Sequence, residues 1–152
     1  MFLMSFSSFA HTTSVDASIN IESDSFEFSP QEDKVKYEGS VETKYQGATL
    51  QSERLEAYIK QDTTISVLIA YGNPARIRSE RQESSHELFG TAGEIALITK
   101  SDTLELSDHA TLEYGKSKIS SSIIRFNIKT GRIEAGKAGS RVSMTLNQNE
   151  ME

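Results

Sequence analysis

The chain has no cysteine. That removes disulfides, thiolate nucleophiles and cysteine-based zinc sites together, and it leaves the compartment open, because secreted proteins need not carry disulfides. Basic residues are also short: 16 Lys and Arg stand against 22 Asp and Glu, a net charge of −6. Binding to nucleic-acid phosphates wants a basic surface, so no nucleic-acid partner is expected. Past the N-terminus no apolar run is long enough to span a bilayer. The familiar chemical motifs are missing too. There is no phosphate loop, no H-E-x-x-H, no calcium loop, and no serine in a G-x-S-x-G elbow. Of the three histidines, His11, His86 and His109, one follows an acid, in Asp108-His109, but adjacent residues of an extended chain point to opposite faces. The acidic residues are scattered singly. The expectation is a protein that is not an enzyme and has no catalytic residue, metal or cofactor.

At 152 residues with 36% hydrophobic composition, the chain is about one domain's worth and can bury a core without staples. Its first ten residues, MFLMSFSSFA, are apolar with small residues at Ser8 and Ala10, the pattern of the end of a secretory signal cleaved before His11, though without the usual basic start. The division expected is a partial signal peptide over 1–10, one domain over 11–146 and a polar tail over 147–152.

Alternation fills most of what remains. From Ile19 onward apolar positions recur with period two, and Val, Ile, Thr, Tyr and Phe dominate, as in half-buried strands. "KVKYEGSVETKY" puts Val35, Tyr37, Val41, Thr43 and Tyr45 on one face, and "TLELSDHATLEYG" does the same with Leu104, Leu106, Ala110, Leu112 and Tyr114. Short polar tracts at 29–34, 45–48, 60–64, 100–103, 114–118 and 129–132 carry turn chemistry, and connections this short join antiparallel neighbours. The strands form a repeat. Val41, Ala75 and Ala110 follow equivalent kinks, 34 and 35 residues apart, and the return strands correspond at Leu55, Ile95 and Ile124. Gly72-Asn73-Pro74 is the second copy of that kink, with the parity of Tyr71, Ala75 and Ile77 expected to run straight through it. Six extra residues in the second copy fall near 79–87, an expected charged loop. Repeats of this kind stack units that cannot bury their apolar face alone.

The segments "INIESDSFEF", "YEGSV", "LQSERLEA", "YGNPARI", "GTAGEI" and "LSDHATLE", in this order and spacing, resemble the periplasmic lipopolysaccharide-transport bridge protein of the LptA/OstA family. The resemblance covers about residues 19 to 146. Ser40 stands where the family usually has Asn, Ser52-Glu53 where it has Ala-Asp, and Asp108 where it has Gly. The resemblance implies an all-β fold, an elongated antiparallel β-jellyroll or β-taco built from repeated kinked hairpins, in the periplasm. Its interior would bind lipopolysaccharide acyl chains and ferry them across the periplasm, as one unit of an edge-to-edge bridge to the outer membrane. The implied partners are lipopolysaccharide, the inner-membrane export complex through its periplasmic jellyroll subunit, the outer-membrane translocon, and further copies in a head-to-tail homo-oligomer.

By parity and resemblance, the residues expected to face the lipid are Ile19, Ile21, Val41, Ala75, Ile77, Ile95, Leu97, Thr99, Leu104, Leu106, Ala110, Leu112, Ile124 and Phe126. The register stays open at "SVLIAY" and "SIIRF", where both parities are apolar. Edge assembly is assigned to Ile19, Asn20, Ile21, Val142, Met144 and Leu146. Arg76 and Arg78 are read as solvated charge, with contact to lipid phosphates as the alternative. Two rival functions remain: a secreted structural or adhesive β-solenoid with a filled core, and the periplasmic module of a membrane-anchored partner in the same transport system.

Overall fold

The computed structural model describes residues 18–79 and 87–146. The first ten residues, most of the expected loop at 79–87, His11, His86 and the tail from 147 lie outside that range. Ten strands form one antiparallel sheet: β1 (Asn20–Glu22), β2 (Ser25–Ser29), β3 (Lys34–Tyr45), β4 (Ala48–Ile59), β5 (Ile65–Ser79), β6 (Leu88–Ile98), β7 (Thr103–Tyr114), β8 (Ser117–Asn127), β9 (Ile133–Ala135) and β10 (Ser143–Thr145). The path runs β1-β3-β4-β5-β6-β7-β8-β10, with β2 also on β3 and β9 also on β8.

Turn chemistry sets the strand ends. Gln46 and Gly47 both have positive φ, 47° and 79°, as a two-residue hairpin loop needs. Asp33 and Asp102 close single 3₁₀ turns over Pro30–Glu32 and Thr99–Ser101 in the left-handed conformation, which Asp tolerates better than most residues.

Each ladder between β3 and β8 is interrupted in its middle, and these interruptions line up across the sheet; the β4–β5 ladder has a second irregularity near its end, between Tyr58 and Ile59. The line divides the sheet into two walls. The first wall holds 20–22, 41–45, 48–52, 75–79, 88–92, 110–114, 117–121 and 143–145; the second holds 25–29, 34–38, 54–59, 65–71, 94–98, 103–107, 123–127 and 133–135. The walls close on each other. Val41, Leu50, Ile77 and Leu112 of the first share one buried cluster with Leu55, Leu68, Leu106 and Ile124 of the second. A Cβ added at Gly90, on the first wall, would come within 2.8 Å of Leu106 from the second and of Ile77.

The kinks have two designs. Between β3 and β4, two residues, Gly39 and Ser40, bulge against the single Glu53; between β7 and β8, Asp108 and His109 bulge against Ser122. All four bulged residues have positive φ. An insertion of two keeps inward parity, so Val35 and Val41 point the same way, as do Leu106 and Ala110. The β5 kink differs: three residues, Gly72, Asn73 and Pro74, oppose Gly93, with a cis Asn73-Pro74 bond. An odd insertion reverses parity. Leu68 and Ala70 are buried before it, and Ala75, Ile77 and Ser79 after it. Tyr71 therefore does not continue into Ala75 and Ile77 as the alternation predicts; it lies under the Arg54 guanidinium, 4.3 Å from the ring centroid, opposite its strand partner.

Candidate functional site

The inner face is mostly aliphatic, with Thr43, Ser79 and Ser121 as buried polar positions within it. Val41, Ala75, Ile77, Ile95, Leu97, Leu104, Leu106, Ala110, Leu112, Ile124 and Phe126 are all buried within it, none more than 2% exposed. Ile19 and Ile21 are half-buried and pack against the same cluster. Thr99 is set apart: it sits in a 3₁₀ turn, and its hydroxyl donates to the Ile65 and Ser66 carbonyls at 2.8 and 3.0 Å. It belongs to the rim of the second wall.

The apolar lining runs out to both sheet edges. Ile21 pairs with Thr43, and Met144 pairs with Ile119, so β1 and β10 extend the inner face of the first wall at opposite ends. Phe26 pairs with Tyr37 and Phe28 with Val35, and Ile133 pairs with Phe126, so β2 and β9 do the same for the second wall. At the edges the side chains lose their cover: Phe26 is 72% exposed and Met144 55%, and Phe28, Val142 and Leu146 are exposed too. Asn20 is on the outward face of β1, exposed. Among the described residues, the outer side of each terminal strand is unpaired in the sheet. The sequence reading missed Phe26 and Phe28, although their alternation in "SFEFS" opposite an apolar strand was the available signal.

Polar groups gather at the mouth, the side opposite the kink line. Tyr45 ends β3 on the rim of the first wall, and Asp102 precedes β7 on the rim of the second; the Tyr45 hydroxyl donates to Asp102 Oδ1 at 2.8 Å. Gln46 Nε2 donates to the same oxygen at 3.1 Å and to the Tyr45 hydroxyl at 2.9 Å, and Lys129 Nζ lies 3.0 Å from Asp102 Oδ2. Burial and the bond to Asp102 push the Tyr45 phenol up to about 12. Burial acts to raise the Asp102 carboxyl, but Lys129, Tyr45 and Gln46 outweigh it and hold the carboxyl below its ordinary value.

The outer face carries the other charges. Arg76 and Arg78 point outward from β5 and, with Lys44, Thr49, Gln51 and Phe89, line an open cleft of about 640 Å³; Arg78 pairs with Glu87 at 3.3 Å. They do not face the interior. Asp108 and His109 bond to each other at 2.8 Å on the exposed bend of β7. Among the described residues no three His, Asp or Glu side chains converge to hold a metal, and no helix is long and apolar enough to cross a membrane.

A curled antiparallel sheet with a largely apolar interior and two walls defines a β-jellyroll of the taco type. The chain belongs to the family described as LptA/(LptD N-terminal domain) LPS transport protein, which its residues 20–132 match. The resemblance read from the motifs is thereby borne out, and the family is one of transport proteins. Among solved structures the fold is similar to that of LptH from Pseudomonas aeruginosa, described as the LptA homologous periplasmic component of the conserved lipopolysaccharide transport device. The TM-score is 0.77 at 17% identity, over 86% of this chain and 96% of that one. No curated protein matches the sequence.

Proposed function

We propose that this chain is a periplasmic carrier that holds lipopolysaccharide acyl chains against its inner face and passes them along a bridge of edge-paired jellyrolls, from the inner-membrane export complex to the outer-membrane translocon. The observation that carries this reading is the inner face itself, mostly aliphatic from edge to edge and, among the described residues, uncovered at both ends. A lining meant only as a core would be closed off at the edges, since exposed apolar edge strands promote aggregation. A partner of the same fold uses such edges through β-augmentation. Holding a lipid tail needs no catalytic group, because each buried CH₂ contributes about 0.8 kcal/mol.

One observation favours the rival of a structural module with a permanently filled core: the walls interlock at Gly90, where Leu106 reaches across to Ile77 and Leu112. A photo-crosslinking residue at Leu97 or Leu112 separates the two. The carrier is expected to give adducts with lipopolysaccharide at these inward positions and none at outward Glu113; no adduct at any inward position would overturn it. Depletion of the protein is expected to stop lipopolysaccharide reaching the cell surface.

A further inference from the structure

We propose that the Tyr45–Asp102 bond is a clasp across the mouth of the shell, which pins its two walls together at one corner and opens to let acyl chains pass between them. The gating part rests on the carrier reading above; the closure itself does not.

The contact joins parts of the sheet that no ladder holds together. Along the strand path, β3 is second and β7 is sixth, and the two residues are 57 apart in sequence. Across the mouth, Tyr45 and Gln46 of the first wall both hydrogen-bond to Asp102 of the second. Other polar contacts at the rim of the second wall stay within that wall: Thr99 with Ile65 and Ser66, Asn127 with Ser101, and the Ile128 amide with the Asp102 carbonyl.

Chemistry at this corner also differs from that of the interior. Asp102 is the one charged residue among the described buried residues, 7% exposed. A carboxylate taken out of water is costly unless it is fully bonded, and an apolar pair would seal a permanent core better. Polar closure has another property. When the walls part, the phenol, the amide and the carboxylate all find water, so the net cost of breaking the clasp is small although the bonds are strong while dry. Apolar packing behind it, around Gly90, has no such substitute. The corner is therefore the cheapest place on the mouth to open, and an opened mouth exposes the inner face.

The absence of cysteine makes a direct test clean. Cysteines replacing exposed Lys44 and Lys100, one on each rim, take spin labels in the full chain. Pulsed dipolar spectroscopy is expected to give one narrow distance in that background, and a second, longer population after Tyr45→Phe with Gln46→Ala. An unchanged distribution in a cooperatively folded variant overturns the clasp. Uptake of fluorescently labelled lipopolysaccharide is expected to speed up about fivefold in the same variant, the effect of one net hydrogen bond on an opening equilibrium. Unchanged uptake by a variant whose distances have broadened overturns the gating role. If that variant does not fold, the two cysteines in the otherwise unaltered chain can be bridged by a bifunctional thiol reagent. Bridging is expected to abolish uptake, and undiminished uptake by the bridged protein overturns the proposal. Failure of the unaltered protein to take up lipopolysaccharide at all would instead overturn the carrier reading, and the distance measurement would still decide the closure.

Discussion

At the scale of single residues, Tyr45 couples stability to alkaline pH. Its phenol is pushed from near 10 to about 12 in the folded protein, first by burial and then by the neighbouring Asp102 carboxylate. A group whose pKa is raised on folding binds its proton more tightly in the native state. Its contribution is full below the unfolded value near 10 and is lost as pH rises through about 12. A shift of that size corresponds to about 2–3 kcal/mol. Tyr37, Tyr58 and Tyr71 are raised as well, so the parent protein alone would not isolate the effect. The difference between parent and Tyr45→Phe does. Denaturant midpoints of the two are expected to converge between pH 10 and 12, with the parent ahead below pH 10; a gap independent of pH would show that the hydroxyl is not held by a carboxylate. Asp102 gives the opposite sign. Its carboxyl lies below its ordinary value, so its contribution is present above the unfolded value and is lost as pH falls through the folded one.

At the scale of elements, the kinks decide which faces a strand presents. Ser40 has φ 44° and follows Gly39 at 84°, so two successive residues occupy the left-handed region. For a residue with a Cβ this costs about 1–2 kcal/mol. Ser40 is exposed and packs nothing that a glycine would lose. Ser40→Gly is therefore expected to stabilise the protein by about 1 kcal/mol, less the entropy glycine adds to the unfolded chain. Gly39→Ala is expected to do the reverse, because its Cβ would also fall on the Asp24 carboxyl. Thermal melts of both variants check the pair, and a Ser40→Gly protein that melts lower than the parent would contradict the bulge geometry. The same kinks explain what the sequence made legible. In β3 and β7 the two-residue bulges preserve period two, so alternation can be followed through them, and Val41, Leu106, Ala110 and Leu112 are all buried on one face. In β5 the insertion is three, and both parities of "SVLIAY" are apolar, so nothing local revealed that Tyr71 turns outward. The repeat itself was legible because Val41, Ala75 and Ala110 each follow a kink directly. Asp102 reads as a turn residue in "KSDT", which it is; its bond to Tyr45 joins two turns 57 residues apart, and no local pattern carries that.

At the scale of the whole molecule, the question is what two uncovered edges do. Both walls end on short strands of three to five residues, and the apolar side chains there continue the buried face into solvent. Soluble proteins usually blunt such edges with inward-pointing charge or a bulge. Met144 is in the position where an inward-pointing lysine would serve, at the register of buried Ile119, and it is exposed. If the edges are docking surfaces, replacing it should abolish association without unfolding the chain. Met144→Lys removes no buried contact of consequence, so its stability is expected to lie within about 0.5 kcal/mol of the parent. Light scattering over a concentration series is expected to show the parent's mass rising with concentration and the variant's staying at one chain. Glu53→Lys, exposed at the kink line and away from both edges, places a lysine elsewhere with an even larger charge change (+2 against +1) and should associate as the parent does. Equal association of all three proteins would mean that copies do not meet through β10. Loss of association in Met144→Lys alone would place the joint at the end of the first wall, where one protomer's apolar lining can run into the next.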